Sequence, residues 1–205
     1  QVVAESQRLL GDDHPGTLTT RASLAFSYQQ AGRTSEAITI LEQVIADRER
    51  VLGNYHPSTL TARGNLSASY QQAGRNGEAI TILEQVVADR ERVLGNYHPD
   101  TLIARANLAF SYWQAGRTGE AIEIEERVVA DRERVLGNDH PDTPTARANL
   151  AFSYWQAGRT GEAIMLLERV VDDRERLLGD DHPDTLTARA NLNDACRSVG
   201  KDAAG

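Results

Sequence analysis

Cysteine is nearly absent. Cys196 stands alone among 205 residues, so no intramolecular disulfide can form and no disulfide framework holds the chain. Such usage suits a reducing, cytoplasmic setting. Lysine is as scarce: Lys201 is the only one among 22 basic residues, and this arginine bias points to a GC-rich bacterial source. Aromatic residues make up only 5% of the chain, and alanine and leucine dominate the apolar set, a mix that suits closely packed helices. No run approaches the ~20 apolar residues of a membrane-spanning helix, so no membrane partner is expected. The opening Gln1-Val2-Val3-Ala4-Glu5 lacks the basic region and apolar run of a signal peptide. Positive charge is also in deficit. A formal net charge of -8 argues against a nucleic-acid partner, because phosphate neutralisation needs clustered cations. It is compatible with a basic or neutral protein partner.

What the chain does have is a repeat. His-Pro pairs begin at His14, His56, His98, His140 and His182, each step being 42 residues. Ala-Gly-Arg triplets at Ala31, Ala73, Ala115 and Ala157 keep the same period. Four complete repeats therefore occupy 14–55, 56–97, 98–139 and 140–181, and the third and fourth differ at only eight positions. Such similarity means recent duplication or deliberate consensus design. Residues 1–10 align with 43–52, so residues 1–13 read as the partial second helix of a preceding repeat. Residues 182–205 read as the first helix of a fifth repeat and a C-terminal cap, with 185–199 as the cap proper.

Each repeat contains two helix patterns and no strand pattern. In the third, Pro99 fits the first helical position and Asp100 faces the positive end of the helix dipole. Leu102, Ala106, Leu108, Ala109, Tyr112 and Ala115 then recur at helical spacing, and Gly116 stops the run. A second helix starts near Thr118, a plausible cap. In the second repeat its apolar stripe is Ala79, Ile80, Leu83, Val86, Val87, Val93 and Leu94, ended by Gly95. One such hairpin cannot bury its apolar face alone, so neighbours must stack. Small residues at Ala25, Ala37 and their equivalents let the helices approach closely. The fold class expected is all-α, a right-handed superhelical α-solenoid of antiparallel helix pairs.

Leu108-Ala109-x-x-Tyr112 followed by Gly116-Arg117-x-x-Glu120-Ala121-Ile122 resembles the tetratricopeptide (TPR) signature. The usual repeat there is ~34 residues, and here the second helix is about two turns longer. With its Asn-Leu-Ala-x-x-Tyr core and Leu-Gly-x-x-His-Pro junction, the variant resembles the repeats of kinesin light chains. Similar arrays occur in bacterial signalling ATPases of the NB-ARC class, as sensor or binding portions. One departure is clear: the large aromatic expected early in the first helix is replaced by Arg21, Arg63, Arg105, Arg147 and Arg189.

The resemblance implies that first helices line a concave groove that binds a peptide or protein of unknown identity. Just before the signature leucine lie Asn65, Asn107, Asn149 and Asn191, with Ser23 departing in the first repeat. Each asparagine offers a donor and an acceptor, so a row of them could pair with the backbone of an extended peptide. The alternative is that each bonds a neighbouring helix and locks the stack. Side-chain preference would come from three further rows. Phe26, Ala68, Phe110, Phe152 and Asp194 form one; Gln29, Gln71, Trp113, Trp155 and Arg197 the next; Gln30, Gln72, Gln114, Gln156 and Ser198 the third. The aromatics concentrate in the third and fourth repeats, which places the expected hot spot there. The alternative for them is packing between first helices.

The arginine row could offer groove cations to an acidic ligand, but the negative net charge favours pairing with carboxylates at neighbouring helix ends, such as Asp100 or Asp142. Asp-Arg-Glu-Arg, Asp47 to Arg50 and its copies, is expected to form a solvated convex face with i, i+3 pairs. Glu125 is the odd residue, standing where other repeats have Leu41, Leu83 and Leu167. Pro144 also breaks pattern, in the first helical turn, where proline does least harm. Val2, Val3, Leu9 and Leu10 would expose apolar surface and favour end-to-end self-association.

No enzyme is expected. Features copied every 42 residues are not a unique catalytic site. The histidines stand one per repeat, too far apart to converge on zinc, and read as helix caps. There is no Gly-x-x-x-x-Gly-Lys loop for phosphate, and Cys196 and the serines lack a convergent base. No cofactor is expected. The alternatives to a peptide-binding scaffold are a sensor segment of a larger NB-ARC signalling ATPase and a ligand-free structural array.

Overall fold

The structure, a computed structural model, describes residues 2–202, and the outermost residues of the first and last expected segments lie outside it. Ten helices follow in order: α1 (Val2–Leu10), α2 (Pro15–Gln30), α3 (Thr34–Leu52), α4 (Pro57–Gln72), α5 (Asn76–Leu94), α6 (Pro99–Gln114), α7 (Thr118–Leu136), α8 (Asp142–Gln156), α9 (Thr160–Leu178) and α10 (Pro183–Asp202). Among the described residues there is no strand. The chain divides into two compact units, residues 1–104 and 105–205, with the boundary inside α6. In the first, α1 packs on α2, α2 on α3, α3 on α4 and α4 on α5, and α2 also touches α4. In the second, α7 packs on α8, α8 on α9 and α9 on α10. Connections of three residues between α2 and α3, α4 and α5, and α8 and α9 make each of these pairs antiparallel.

Local chemistry sets the helix ends. His14, His56, His98, His140 and His182 each accept, through Nδ1, the backbone N–H two residues on, at 3.1–3.2 Å. The histidine therefore caps the first helix of each repeat, and proline follows where no N–H is needed. First helices end on glycine: Gly32 has φ 73°, and the next N–H, of Arg33, returns to the Tyr28 carbonyl at 2.9 Å. Only glycine takes that left-handed position without strain. Second helices end on Gly53 and its copies in the same region. Thr118, however, is not a cap. It is the first helical residue, and Arg117 ahead of it makes no side-chain cap bond. Arg117 instead pairs with Glu120 and lies over the Tyr112 ring, 4.4 Å from its centroid. The same stacking joins Arg33 to Tyr28, Arg75 to Tyr70 and Arg159 to Tyr154.

The small residues lie where helices approach most closely. Ala25, Ala37, Ala79, Ala121, Ala151 and Ala163 are fully buried. Around them Leu41, Val44, Leu66 and Tyr70 close the core of the first unit, and Ile122, Val128, Leu150 and Tyr154 that of the second. Buried Tyr70 and Tyr154 send their hydroxyls to Glu42 and Glu126, each at 2.7 Å. Burial, then that hydrogen bond, pushes the Tyr154 phenol up to about 12.

The arginine row is structural, but its partners differ from those expected. Arg21 binds Asp47 at 2.6 Å, Arg63 binds Asp89 at 3.0 Å, and Arg105 binds Asp131 at 2.9 Å. Arg147 binds Asp173 in the same way. Each pair ties the first helix of a repeat to the Asp-Arg-Glu-Arg motif of its own second helix. Arg63 and Arg147 also hold Glu49 and Glu133 of the preceding second helix, at 2.9 and 2.6 Å. The next arginine of the motif crosses to the following repeat. Arg48, Arg90, Arg132 and Arg174 donate to the backbone carbonyls of Ser58, Asp100, Asp142 and Asp184 at 2.7–2.9 Å. Half of the supposed convex face is thus a seam: Arg48, Asp89 and Arg132 are buried, and only the last arginine makes the i, i+3 contact, as in Arg50 to Asp47.

Glu125 on α7 is a local fault in this core. One of its carboxylate oxygens is buried without a hydrogen-bond partner. Burial pushes its carboxyl up, and the Ser153 hydroxyl opposes this only in part. Pro144 is buried in the first turn of α8, which starts one residue later than the other first helices.

Two stability outcomes follow from the seam and the fault. Arg147, 1% exposed, should be the costliest arginine of its row to remove: Arg147→Leu should lose about 3 kcal/mol. Arg21→Leu, at a site 15% exposed, should lose about 1 kcal/mol. Denaturant titration followed by circular dichroism would refute this ranking by finding equal losses. Glu125→Leu should stabilise the chain by about 1–3 kcal/mol at neutral pH. Because the folded carboxyl titrates above its unfolded value, the penalty is absent below the unfolded value and complete above the folded one. The gain from Glu125→Leu should therefore grow from pH 4 to pH 7. Melting curves across that range that show a constant gap, or none, would contradict it.

Candidate binding surface on the first helices

On α6 and α8 the positions singled out by the repeat share a face. Asn107, Phe110 and Gln114 stand at i, i+3 and i+7, as do Asn149, Phe152 and Gln156, so each set lines one side of its helix. All six are exposed, Phe110 at 47% and Phe152 at 41%. Trp113 is half-buried and joins the two helices. It stacks on Phe110 with centroids 5.7 Å apart and planes at 26°. Its edge-on contact with Phe152 spans α6 and α8, with centroids 5.3 Å apart and planes at 64°. Both arrangements are ones aromatic pairs prefer.

These rings border a pocket of ≈ 140 Å³. Ala106, Phe110 and Trp113 line it from α6, Glu125 from α7, and Asn149, Phe152 and Ser153 from α8. Glu125 is the one charged residue among them. Of the seven, Ala106 and Ser153 had no distinguishing mark in the sequence. Alanine recurs at the first position, and Ser153 repeats at Ser27, Ser69 and Ser111, so neither signals a site.

The asparagine row resolves one alternative. Asn65, Asn107, Asn149 and Asn191 are all exposed. Among the described residues their side chains make no hydrogen bond to a neighbouring helix; the Ser69 and Ser111 hydroxyls bond the main-chain carbonyls of Asn65 and Asn107, not their carboxamides. The asparagines therefore do not lock the stack.

Other expected residues are placed differently. Trp155 does not join the ring cluster: it packs against the core formed by Ile122, Val128, Leu150 and Tyr154. Gln72 donates to the Gln29 carbonyl at 3.2 Å, a bond between α4 and α2 that ties the first helices together. In the first unit Phe26 is 58% exposed, and α4 carries Ala68 in the matching place, so no ring faces a ring there. Gln30 is exposed on α2. On α10, Asp194 and Arg197 replace the aromatics and pair with each other at 3.7 Å.

Each histidine Nδ1 is held by its capping bond, and among the described residues no three His, Cys, Asp or Glu side chains are placed to hold a metal. Cys196 is free and exposed. Among the described residues no helix is long and apolar enough to cross a membrane.

Known proteins agree with this architecture. One family model, described as tetratricopeptide repeat, matches residues 1–50, 23–91 and 64–134, and a second of the same description matches 145–184. No curated protein matches the chain. Among solved structures, a Podosopora anserina protein assigned as a kinesin light chain with nearly identical TPR-like repeats is 37% identical, with a TM-score of 0.82 over 92% of this chain and 89% of that one. A point variant of that protein is 36% identical, with a TM-score of 0.83 over the same shares. BtubC (BKLC) from P. vanneervenii is 19% identical and shares the fold, with a TM-score of 0.83 over 97% of this chain and 80% of that one. With repeat models matching most of its length and helix pairs that superpose on TPR-like repeats, this chain belongs to the tetratricopeptide repeat family.

Proposed function

We propose that this chain is a protein-interaction scaffold that holds an extended peptide segment against the exposed face of its first helices. The observation that carries this reading is the row of asparagine side chains left unbonded at Asn107 and Asn149, flanking a cluster of exposed rings. A carboxamide pointing to solvent in successive repeats can donate to a peptide carbonyl and accept from a peptide N–H. That pairing reads backbone, not sequence, so affinity would come from the asparagines and preference from the rings. Phe110, Trp113 and Phe152 supply anchor surface at low conformational cost. The glutamine row contributes less, since Gln72 is already tied to α2. Gln114, Gln156 and Asn191 would extend the same surface within the second unit, and Phe26, Gln30 and Asn65 would offer a like surface within the first. No reaction is inferred for the chain.

A second contact has its own observation. Val2, Leu9 and Leu10 on α1 are 68%, 64% and 50% exposed, and this apolar face would support end-to-end association of two copies. Light scattering that finds only monomer at high concentration would dismiss it.

For the scaffold, the test is a peptide selected from a random library on the immobilised chain. Losing two hydrogen bonds of about 1 kcal/mol each, Asn107→Ala with Asn149→Ala should weaken its binding by about thirtyfold while leaving the melting curve unchanged. Undiminished affinity in the folded double variant would exclude the asparagine face.

A further inference from the structure

The ring pocket differs from the rest of the first-helix surface in having a carboxylate in its lining. Glu125 occupies a position that is leucine in the other three repeats, and Leu41, Leu83 and Leu167 there are 2%, 1% and 4% exposed. Within the protein Glu125 has only the Ser153 hydroxyl, and its second oxygen has no partner. Cations are not scarce nearby, yet none is bonded to Glu125. On α6, Arg105 holds Asp131. On α7, Arg132 shares a small cavity with Glu125 and leaves its Nε unpartnered, but its Nη1 is drawn to the Asp142 carbonyl. On α8, Arg147 is enclosed by Asp173 and Glu133. The neighbouring acid, Glu126, accepts from Tyr154 and pairs with Arg159.

The chemistry of the pocket selects among occupants. A neutral apolar group would cover the rings but leave a buried carboxylate unpaired, which is costly. An anionic group would meet like charge. A cation satisfies both walls at once, since ring faces attract cations through their quadrupole and the carboxylate supplies the counter-charge. A planar guanidinium stacks on aromatic faces and donates in a fork, whereas an ammonium is a compact, strongly hydrated point charge. The chain's net charge of -8 also favours approach of a basic segment.

We propose that the pocket between α6, α7 and α8, lined by Phe110, Trp113, Phe152, Asn149 and Glu125, binds a basic side chain of a peptide, arginine in preference to lysine. The proposal rests on the peptide-scaffold reading and names the residue that reading would select. Asn149 beside the pocket would hold the peptide backbone while Glu125 takes the guanidinium. The repeat that departs from leucine is also the one whose rings meet, which is why specificity falls there and not at the leucine-bearing repeats.

The test uses the full chain and peptides Ac-Gly-Ser-Gly-Xaa-Gly-Ser-Gly-NH2, with arginine, lysine, citrulline, leucine or glutamate as guest. Binding is followed by NMR at the Trp113 indole N–H, with Trp155 as internal reference, and at the Asn107 and Asn149 side-chain amides. The arginine peptide should shift Trp113 saturably, at least tenfold more tightly than its neutral isostere citrulline or than glutamate, and ahead of lysine. Glu125→Gln and Glu125→Leu should bring the arginine to citrulline ratio to about one. Glu125→Leu guards against loss of fold, because leucine is the residue the other repeats carry there. Peptides that perturb the asparagine amides without preferring a basic guest, or a preference that survives Glu125→Gln, would overturn the proposal and leave the scaffold reading standing. Peptides that perturb neither set of resonances would overturn both.

Discussion

The bridge from the first-helix arginine to the second-helix aspartate is the constraint on which the rest of the array depends. Helix pairs built from alanine and leucine have smooth, similar faces, and apolar packing alone leaves their rotation and sliding weakly defined. The ion pair removes that freedom. Arg63 reaches Asp89 in its own repeat and Glu49 in the one before, so a single guanidinium fixes three helices. The adjacent Arg90 then fastens the repeat to the next through the Asp100 carbonyl. Such pairs gain little over well-packed apolar residues once desolvation is counted. Their value is geometric, since a fork of fixed donors accepts carboxylates in few orientations. This accounts for arginine where the family resemblance leads one to expect a large aromatic: the seam is held by direction, not by volume.

How much of this was legible depended on range. Helix order, the capping histidines and the terminal glycines are local properties, and a 42-residue period repeats the evidence for each of them. The repeat also serves as its own alignment, which is how Glu125 stands out against three leucines. The partners of the arginines were not legible. Arg21 and Asp47 lie 26 residues apart, and nothing in the spacing distinguishes Asp47 from the other carboxylates on the same helix. The Asp-Arg-Glu-Arg motif looks solvated because it is charged, yet its first two residues turn inward while only the last faces water. The candidate site divides in the same way. Its exposed asparagines and rings could be placed on a helix face from the period. That Trp113 meets Phe152 while Trp155 packs only against the core could not, because the two occupy the same position in nearly identical repeats. Their fates differ through neighbours: Trp113 has a following first helix that carries Phe152, whereas in α10 the corresponding residue is Asp194.

That difference shows how a near-periodic chain can carry a single site. Identical sequence in successive repeats does not make identical surfaces, because each repeat is read against the one after it. Between the third and fourth repeats, ring meets ring, and Glu125 lines the pocket they border. Between the first and second, Gln29 and Ala68 stand in place of Trp113 and Phe152, and leucine stands in place of Glu125. The fault at Glu125 weakens the fold where the surface is richest in exposed rings, and a local loss of stability is an ordinary accompaniment of a site that must hold polar groups ready for a ligand. The seam makes this tolerable. Arg147, the most deeply buried of its row, ties Asp173, Glu133 and Asn138 together in the same repeat pair that holds the unpartnered carboxylate. The strongest part of the ionic seam and the weakest part of the apolar core thus lie side by side, so the array can keep its register while the pocket keeps its charge.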